Sequence, residues 1–189
     1  MKEINKCIIN KQEIETAVGN VDIVSKHECE FISCENSILK KVRGFEVVKD
    51  EFRKYPSETI ILPSRGTSKA MAYDFYSPID LVIEPNKIGK VWTDIKAYML
   101  DNEGLILNVR SSMGGKVMLA NTSGWIDGDY YSNEGNDGNI GIFLLNISDE
   151  PYVIKKGDRV AQGMFINYLV SDNGNTDKVR TGGFGSTNK

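Results

Sequence analysis

At 189 residues, the chain is long enough for one domain with a substantial buried core and a small appendage. Hydrophobic residues at 40% and charged residues at 26% are ordinary for a globular protein, and a formal net charge of −3 excludes a sequence-independent nucleic-acid binder, which needs a large excess of Lys and Arg. No apolar run reaches the length of a membrane span, and the polar start from Met1 to Lys6 is no signal peptide, so a cytoplasmic protein is expected.

Residues 1–42 read as an N-terminal extension of unknown role. They hold all three cysteines, Cys7, Cys29 and Cys34, and the only histidine, His27. An odd cysteine count without a secretory signal predicts reduced thiols. These four side chains could also supply the ligands of a zinc site, although their spacing matches no familiar paired pattern.

Residues 43–170 form the body. A short helical turn is predicted at 49–54, before Pro56. Residues 91–99 alternate at period two and predict one half-buried strand. Further apolar, β-branched stretches at 105–109, 140–147 and 160–170 predict strands, and one helical turn is predicted within 111–116. Loops rich in Gly, Asn and Asp separate them at 102–104, 134–139 and 155–158. The pattern predicts an all-β fold, a barrel or double-sheet jelly roll. Residues 171–189 are polar and Gly-rich, as in a C-terminal arm.

Five segments carry chemistry. In the first, 72–77, Asp74 stands in an apolar strand, where a carboxylate needs hydrogen bonds or a cation. The second, 109–114, offers Arg110, Ser111 and Ser112, donors suited to phosphate oxygens. In the third, 121–130, Gly124 and Gly128 permit a tight hairpin close to a flat ligand. There Asn121 can both donate and accept, and Asp127 can take a proton from water. In the fourth, 157–165, Asp158 and Arg159 could form a structural ion pair, and Gln162 takes a defined strand face. The fifth, 180–187, combines Arg180, Phe184, hydroxyls at Thr181, Ser186 and Thr187, and glycines including Gly185, which suits a lid over a base and phosphates. Taken singly, most of these segments could equally serve ordinary turns and strand ends.

In this order, the five segments resemble the motifs of the trimeric dUTPase family over residues 43–189. The resemblance implies a homotrimer of jelly-roll-like subunits with active sites at subunit interfaces. It implies Mg²⁺-dependent hydrolysis of dUTP to dUMP and pyrophosphate, which keeps uracil out of DNA and supplies dUMP for dTMP synthesis. Asn121 and the backbone around Gly124 and Ile126 would read uracil, and Tyr130 would pack under the deoxyribose. Asp127 would hold the 3′-hydroxyl and activate the attacking water. Arg110, Ser111, Ser112 and Gln162 would surround the triphosphate, and Asp74 would lie near Mg²⁺, itself held mainly by phosphates and water. Phe184 would stack on the base, while Arg180, Gly185, Ser186 and Thr187 would close from another subunit's arm. The chain departs from the family pattern at Ala72 and Ser112, where Gly is usual, in the one-residue-shorter spacing from Arg180 to Phe184, and in an insertion at 132–139.

The dCTP deaminases share this fold and the Arg-Ser-Ser segment, but they need a glutamate where this chain has Phe143. A reading from another class makes the chain a nucleotide-controlled binding protein whose extension contacts a protein partner. Neither reading requires nucleic acid or a membrane.

Overall fold

The computed structural model describes residues 41–174, together with Arg180 and Gly182. Cys7, His27, Cys29 and Cys34 lie outside the described residues, as do Phe184, Gly185, Ser186 and Thr187.

Short β-prone segments separated by turn residues yield eleven strands here: β1 (Gly44–Val47), β2 (Tyr73–Tyr76), β3 (Leu81–Ile83), β4 (Ile88–Trp92), β5 (Ile95–Tyr98), β6 (Glu103–Asn108), β7 (Val117–Leu119), β8 (Gly124–Asp127), β9 (Gly141–Asn146), β10 (Tyr152–Ile154) and β11 (Arg159–Asn167). Among the described residues, helix is confined to 3₁₀ turns at Asp50–Phe52, Ser111–Met113 and Gly128–Tyr130. All strand pairs are antiparallel, in the orders β1–β5, β3–β10, β2–β11–β6–β8 and β4–β9–β7. Every pairing skips at least one strand in sequence, the connectivity of a jelly-roll-like all-β fold. The sheets enclose one core that includes Phe75, Val91, Leu105, Leu107, Ile142, Leu144 and Val160. Among the described residues, no helix is long and apolar enough to cross a membrane.

Two sequence expectations are corrected. Residues 91–99 are not one strand, because the chain breaks between β4 and β5 at Thr93 and Asp94, where Asp94 takes a left-handed φ of 54°. Side chains supplement the backbone there, where the Thr93 amide still donates to Ile140 O at 3.0 Å. Thr93 Oγ1 donates to Ile140 O (2.9 Å), and the buried Asp94 carboxylate accepts from the Lys54 and Tyr55 amides (2.8 and 2.9 Å) and from Asn139 Nδ2 (2.9 Å). Asp is among the few residues that tolerate this backbone region. The second correction concerns the predicted hairpin. The strands flanking 120–123 pair with different partners, β7 with β9 and β8 with β6, so the turn crosses between sheets. Gly124 serves β8–β6 packing instead, since a Cβ there would lie 3.1 Å from Leu107 Cβ.

A buried ion pair ties the 132–139 loop to β5. Lys96 Nζ donates to Asp137 Oδ2 at 2.8 Å, with side-chain exposures of 7% and 1%. Burial pushes the Asp137 carboxyl up, but hydrogen bonds from Lys96 Nζ and the Lys49 amide outweigh it and hold it below its ordinary value. A carboxyl lowered on folding stabilises fully above its unfolded value, about 4, and that stabilisation is lost as pH falls through the lower folded value. Lys96→Met should therefore lower the unfolding free energy by roughly 3 kcal/mol at neutral pH, because it leaves Asp137 buried without its cation. Urea denaturation measures this, and the deficit should shrink as pH falls and Asp137 protonates, starting above about pH 4, because burial without Lys96 raises the carboxyl in the variant.

Candidate active site

Strand alternation places the site. Residues opposite one another on neighbouring strands share a face, and successive residues take opposite faces. In the four-stranded sheet, Asp74, Gln162 and Asn108 form one row across β2, β11 and β6. Further along the same face come Trp125, Ile106 and Met164, then Asp127, Gly104 and Ile166. The intervening positions, Phe75, Ala161, Leu105 and Leu107, are buried in the core.

β11 departs from simple alternation where it meets β2, with a register shift between Arg159 and Ala161. Val160 and Ala161 are both buried, so this bulge turns Arg159 onto the outward face. Arg159 Nε lies 3.6 Å from Asp74 Oδ2, and Arg110 Nε donates to Asp74 Oδ1 at 2.8 Å. The carboxylate buried in β2 thus has two cations, as its position demanded. The predicted Asp158–Arg159 pair is not formed. Asp158 instead accepts from the Lys155 amide at 2.8 Å and closes the preceding turn.

Asp74, Asn108, Arg110, Arg159 and Gln162 line a cavity of about 480 Å³ with the 66–72 loop. Gln162 Nε2 donates to Val109 O at 3.2 Å. Ser111 and Ser112 are exposed on the 3₁₀ turn, which the buried Met113 anchors. Ser112 lines an adjoining cavity of about 330 Å³ that shares Arg110 and Arg159. Two guanidinium forks beside free hydroxyls make this region suited to a polyphosphate.

The third segment forms a separate group. Asn121 is exposed on the turn ahead of β8, where Thr122 adopts φ 65° and its amide donates to Leu119 O at 2.9 Å. A cavity of about 270 Å³ opens here, lined by Asn121, Gly124, Trp125, Ile126, Gly141 and Phe143. Trp125 and Ile126 also line a larger cavity of about 600 Å³, which holds Asp127. The Asp127 side chain is 63% exposed at the end of β8.

Arg180 lies on Asp127 and Asp129 of its own chain: Nε donates to Asp129 Oδ1 at 2.8 Å, and the guanidinium also hydrogen-bonds Asp127 Oδ2. It also covers the Tyr130 ring, 5.8 Å from the centroid. Tyr130 itself is only 6% exposed. Burial raises its phenol above the ordinary tyrosine value, opposed by the hydrogen bond from Asn136 and by the charge of Arg180.

One chain therefore brings the predicted residues together in two groups rather than one. The cavity around Asp127 shares no lining residue with the cavity around Asp74, Arg110 and Gln162. Sequence reasoning missed Arg159, Trp125 and Asp129. For Trp125, which is 67% exposed, a large aromatic at an outward strand position was the available signal. Among the described residues, no group of three His, Cys, Asp or Glu side chains is placed to hold a metal ion.

Residues 58–188 match the dUTPase family model. The deoxyuridine 5′-triphosphate nucleotidohydrolase of Lactococcus lactis subsp. lactis (strain IL1403) is 42% identical over 151 residues, covering 78% of this chain and 98% of that protein. The crystal structure of dUTPase from Streptococcus mutans superposes with a TM-score of 0.60 at 36% identity, covering 69% of this chain and 99% of the other. The dUTPase from phage phi11 of S. aureus, at 18% identity, shares the fold with a TM-score of 0.56 over 75% of this chain and 99% of its own. With a family model spanning most of the sequence and a relative at this identity over nearly its full length, the chain belongs to the dUTPase family.

Proposed function

We propose that the protein hydrolyses dUTP to dUMP and pyrophosphate. The observation that carries this reading is the placement of Asp127, an accessible carboxylate at the end of β8. It closes the strand that the Asn121 turn opens, on the same sheet face as Asp74 and Gln162.

Uracil fits against the turn, where Asn121 and backbone groups of Gly124 and Ile126 match its imide edge. Arg110, Arg159, Ser111, Ser112 and Gln162 take the phosphates. Asp127 accepts a proton from water as its oxygen bonds to the α-phosphorus, and the bond to the β-phosphate oxygen breaks, releasing pyrophosphate. Both Asp74 oxygens face arginines, so this carboxylate fits Mg²⁺ through the ion's water rather than as a direct ligand. Bound to the triphosphate, Mg²⁺ would offset phosphate charge.

We further propose a homotrimer with shared sites. The support is the separation of the site residues into two groups on one chain, together with the relatives' folds. In this reading, Arg180 of an arm leaves its own Asp127 and closes with Phe184, Gly185, Ser186 and Thr187 over a site on another subunit. Closure excludes water and orients the triphosphate.

Pyrophosphate release from dUTP, dCTP, dTTP and UTP, with and without Mg²⁺, tests the activity. Release should depend on Mg²⁺ and favour dUTP over dCTP by roughly 10⁴-fold, because a site built for the uracil edge leaves buried groups unpaired against cytosine. Absence of release from all four would contradict the proposal. Asp127→Asn should lower kcat by about 10²- to 10⁴-fold while dUTP binding by calorimetry stays close to the parent's. Truncation before Arg180 should lower turnover roughly 10²-fold without shifting Tm; full activity would show that the arm is no lid.

A further inference from the structure

The 132–139 insertion is almost entirely polar, yet Asn133, Asp137 and Asn139 are buried. Buried polar groups need partners, and a loop that supplies its own becomes rigid. Asn133 Oδ1 accepts from the Gly135 and Asn136 amides at 3.0 and 3.1 Å. Asn136 Oδ1 accepts from the Gly138 amide at 3.1 Å and from Asn133 Nδ2 at 2.8 Å. Asp137 and Asn139 anchor the loop to Lys96 and Asp94.

The remaining donors converge on Tyr130. Asn133 Nδ2 donates to Tyr130 O at 2.7 Å. Asn136 Nδ2 donates to Tyr130 Oη at 2.7 Å, and Tyr130 Oη donates to Asn139 O at 2.8 Å. Gly138, at φ 82°, passes so close that a Cβ would lie 2.7 Å from Tyr130 O. A phenol that both accepts and donates to fixed partners has its ring orientation set. This ring closes the 3₁₀ turn that begins immediately after Asp127, and Arg180 covers one of its faces.

We propose that Asn136 is a positioning residue: its hydrogen bond to Tyr130 Oη fixes the ring against which deoxyribose is told from ribose. This rests on the reading of Tyr130 as the floor of the sugar subsite. A ring free to tilt admits the 2′-hydroxyl, so the loss falls on discrimination rather than on the fold alone.

The test uses the full chain and its Asn136→Asp, Asn136→Ala, Tyr130→Phe and Asn136→Asp/Tyr130→Phe variants. kcat/KM is measured for dUTP and UTP, with Tm alongside. Asn136→Asp keeps the acceptor for Asn133 and Gly138 but puts a carboxylate where Nδ2 donates to the phenol and, at 3.2 Å, to Asn139 O, so the phenol must leave Asn139 O to bond to it, whereas Asn136→Ala removes the contact outright. Both Asn136 variants should narrow the dUTP:UTP ratio by roughly tenfold, the scale of one misplaced contact. Tyr130→Phe should narrow it similarly, and the double variant should be no worse than Tyr130→Phe, because the two groups act as one unit. An unchanged ratio in folded Asn136 variants or in Tyr130→Phe, or additive losses in the double variant, would overturn the inference while leaving dUTP hydrolysis intact. A parent protein that releases no pyrophosphate from dUTP would overturn the site reading itself.

Discussion

The alternation of side chains in the β2–β11–β6–β8 sheet is the constraint on which the rest depends. Once Phe75, Leu105 and Leu107 are committed to the core, Asp74, Asn108, Gln162 and Asp127 have no face but the outer one. Core burial and site display are thus one decision. A single bulge at Val160 adds Arg159 to that face without exposing an apolar residue, since Val160 and Ala161 both turn inward.

Polar groups buried behind the site do a second job. Asp94 stops β4 from running into β5 and gathers the amides of Lys54 and Tyr55, while Lys96 and Asp137 bind the 132–139 loop to the body. Such groups add specificity of arrangement more readily than net stability. The arrangement they specify here is a rigid wall behind Tyr130, next to the turn that follows Asp127.

Much of this was legible in the sequence. Turn punctuation and β-branched runs located β6, β9 and β11, and the one-turn helices at 50–52 and 111–113 followed from their settings. Asp74 within an apolar strand called for hydrogen bonds or a cation, and Arg110 supplies both. The break at Thr93 and Asp94 was hidden, because period-two alternation records side-chain polarity and not which backbone groups find partners. The predicted hairpin failed for a related reason: glycines at 124 and 128 signal close approach but not which strand approaches. Arg159 was missed because strict parity from Gln162 sends it inward, and only the bulge reverses that. The role of the 132–139 loop depends on hydrogen bonds among asparagines whose partners cannot be assigned from spacing.

The division of the candidate site residues between two groups motivates the proposal that a trimer shares its sites between subunits. Co-expression of Asp127→Asn and Arg110→Ala subunits bearing different tags, followed by purification of trimers carrying both tags, tests it most directly. With Asp127 and Arg110 drawn from different subunits around a closed three-fold ring, each mixed trimer regains one intact site. The account therefore predicts about one-third of the parent's dUTP turnover, against almost none for either variant alone. Mixed trimers as inactive as their parents would contradict it and place the whole site within a single chain.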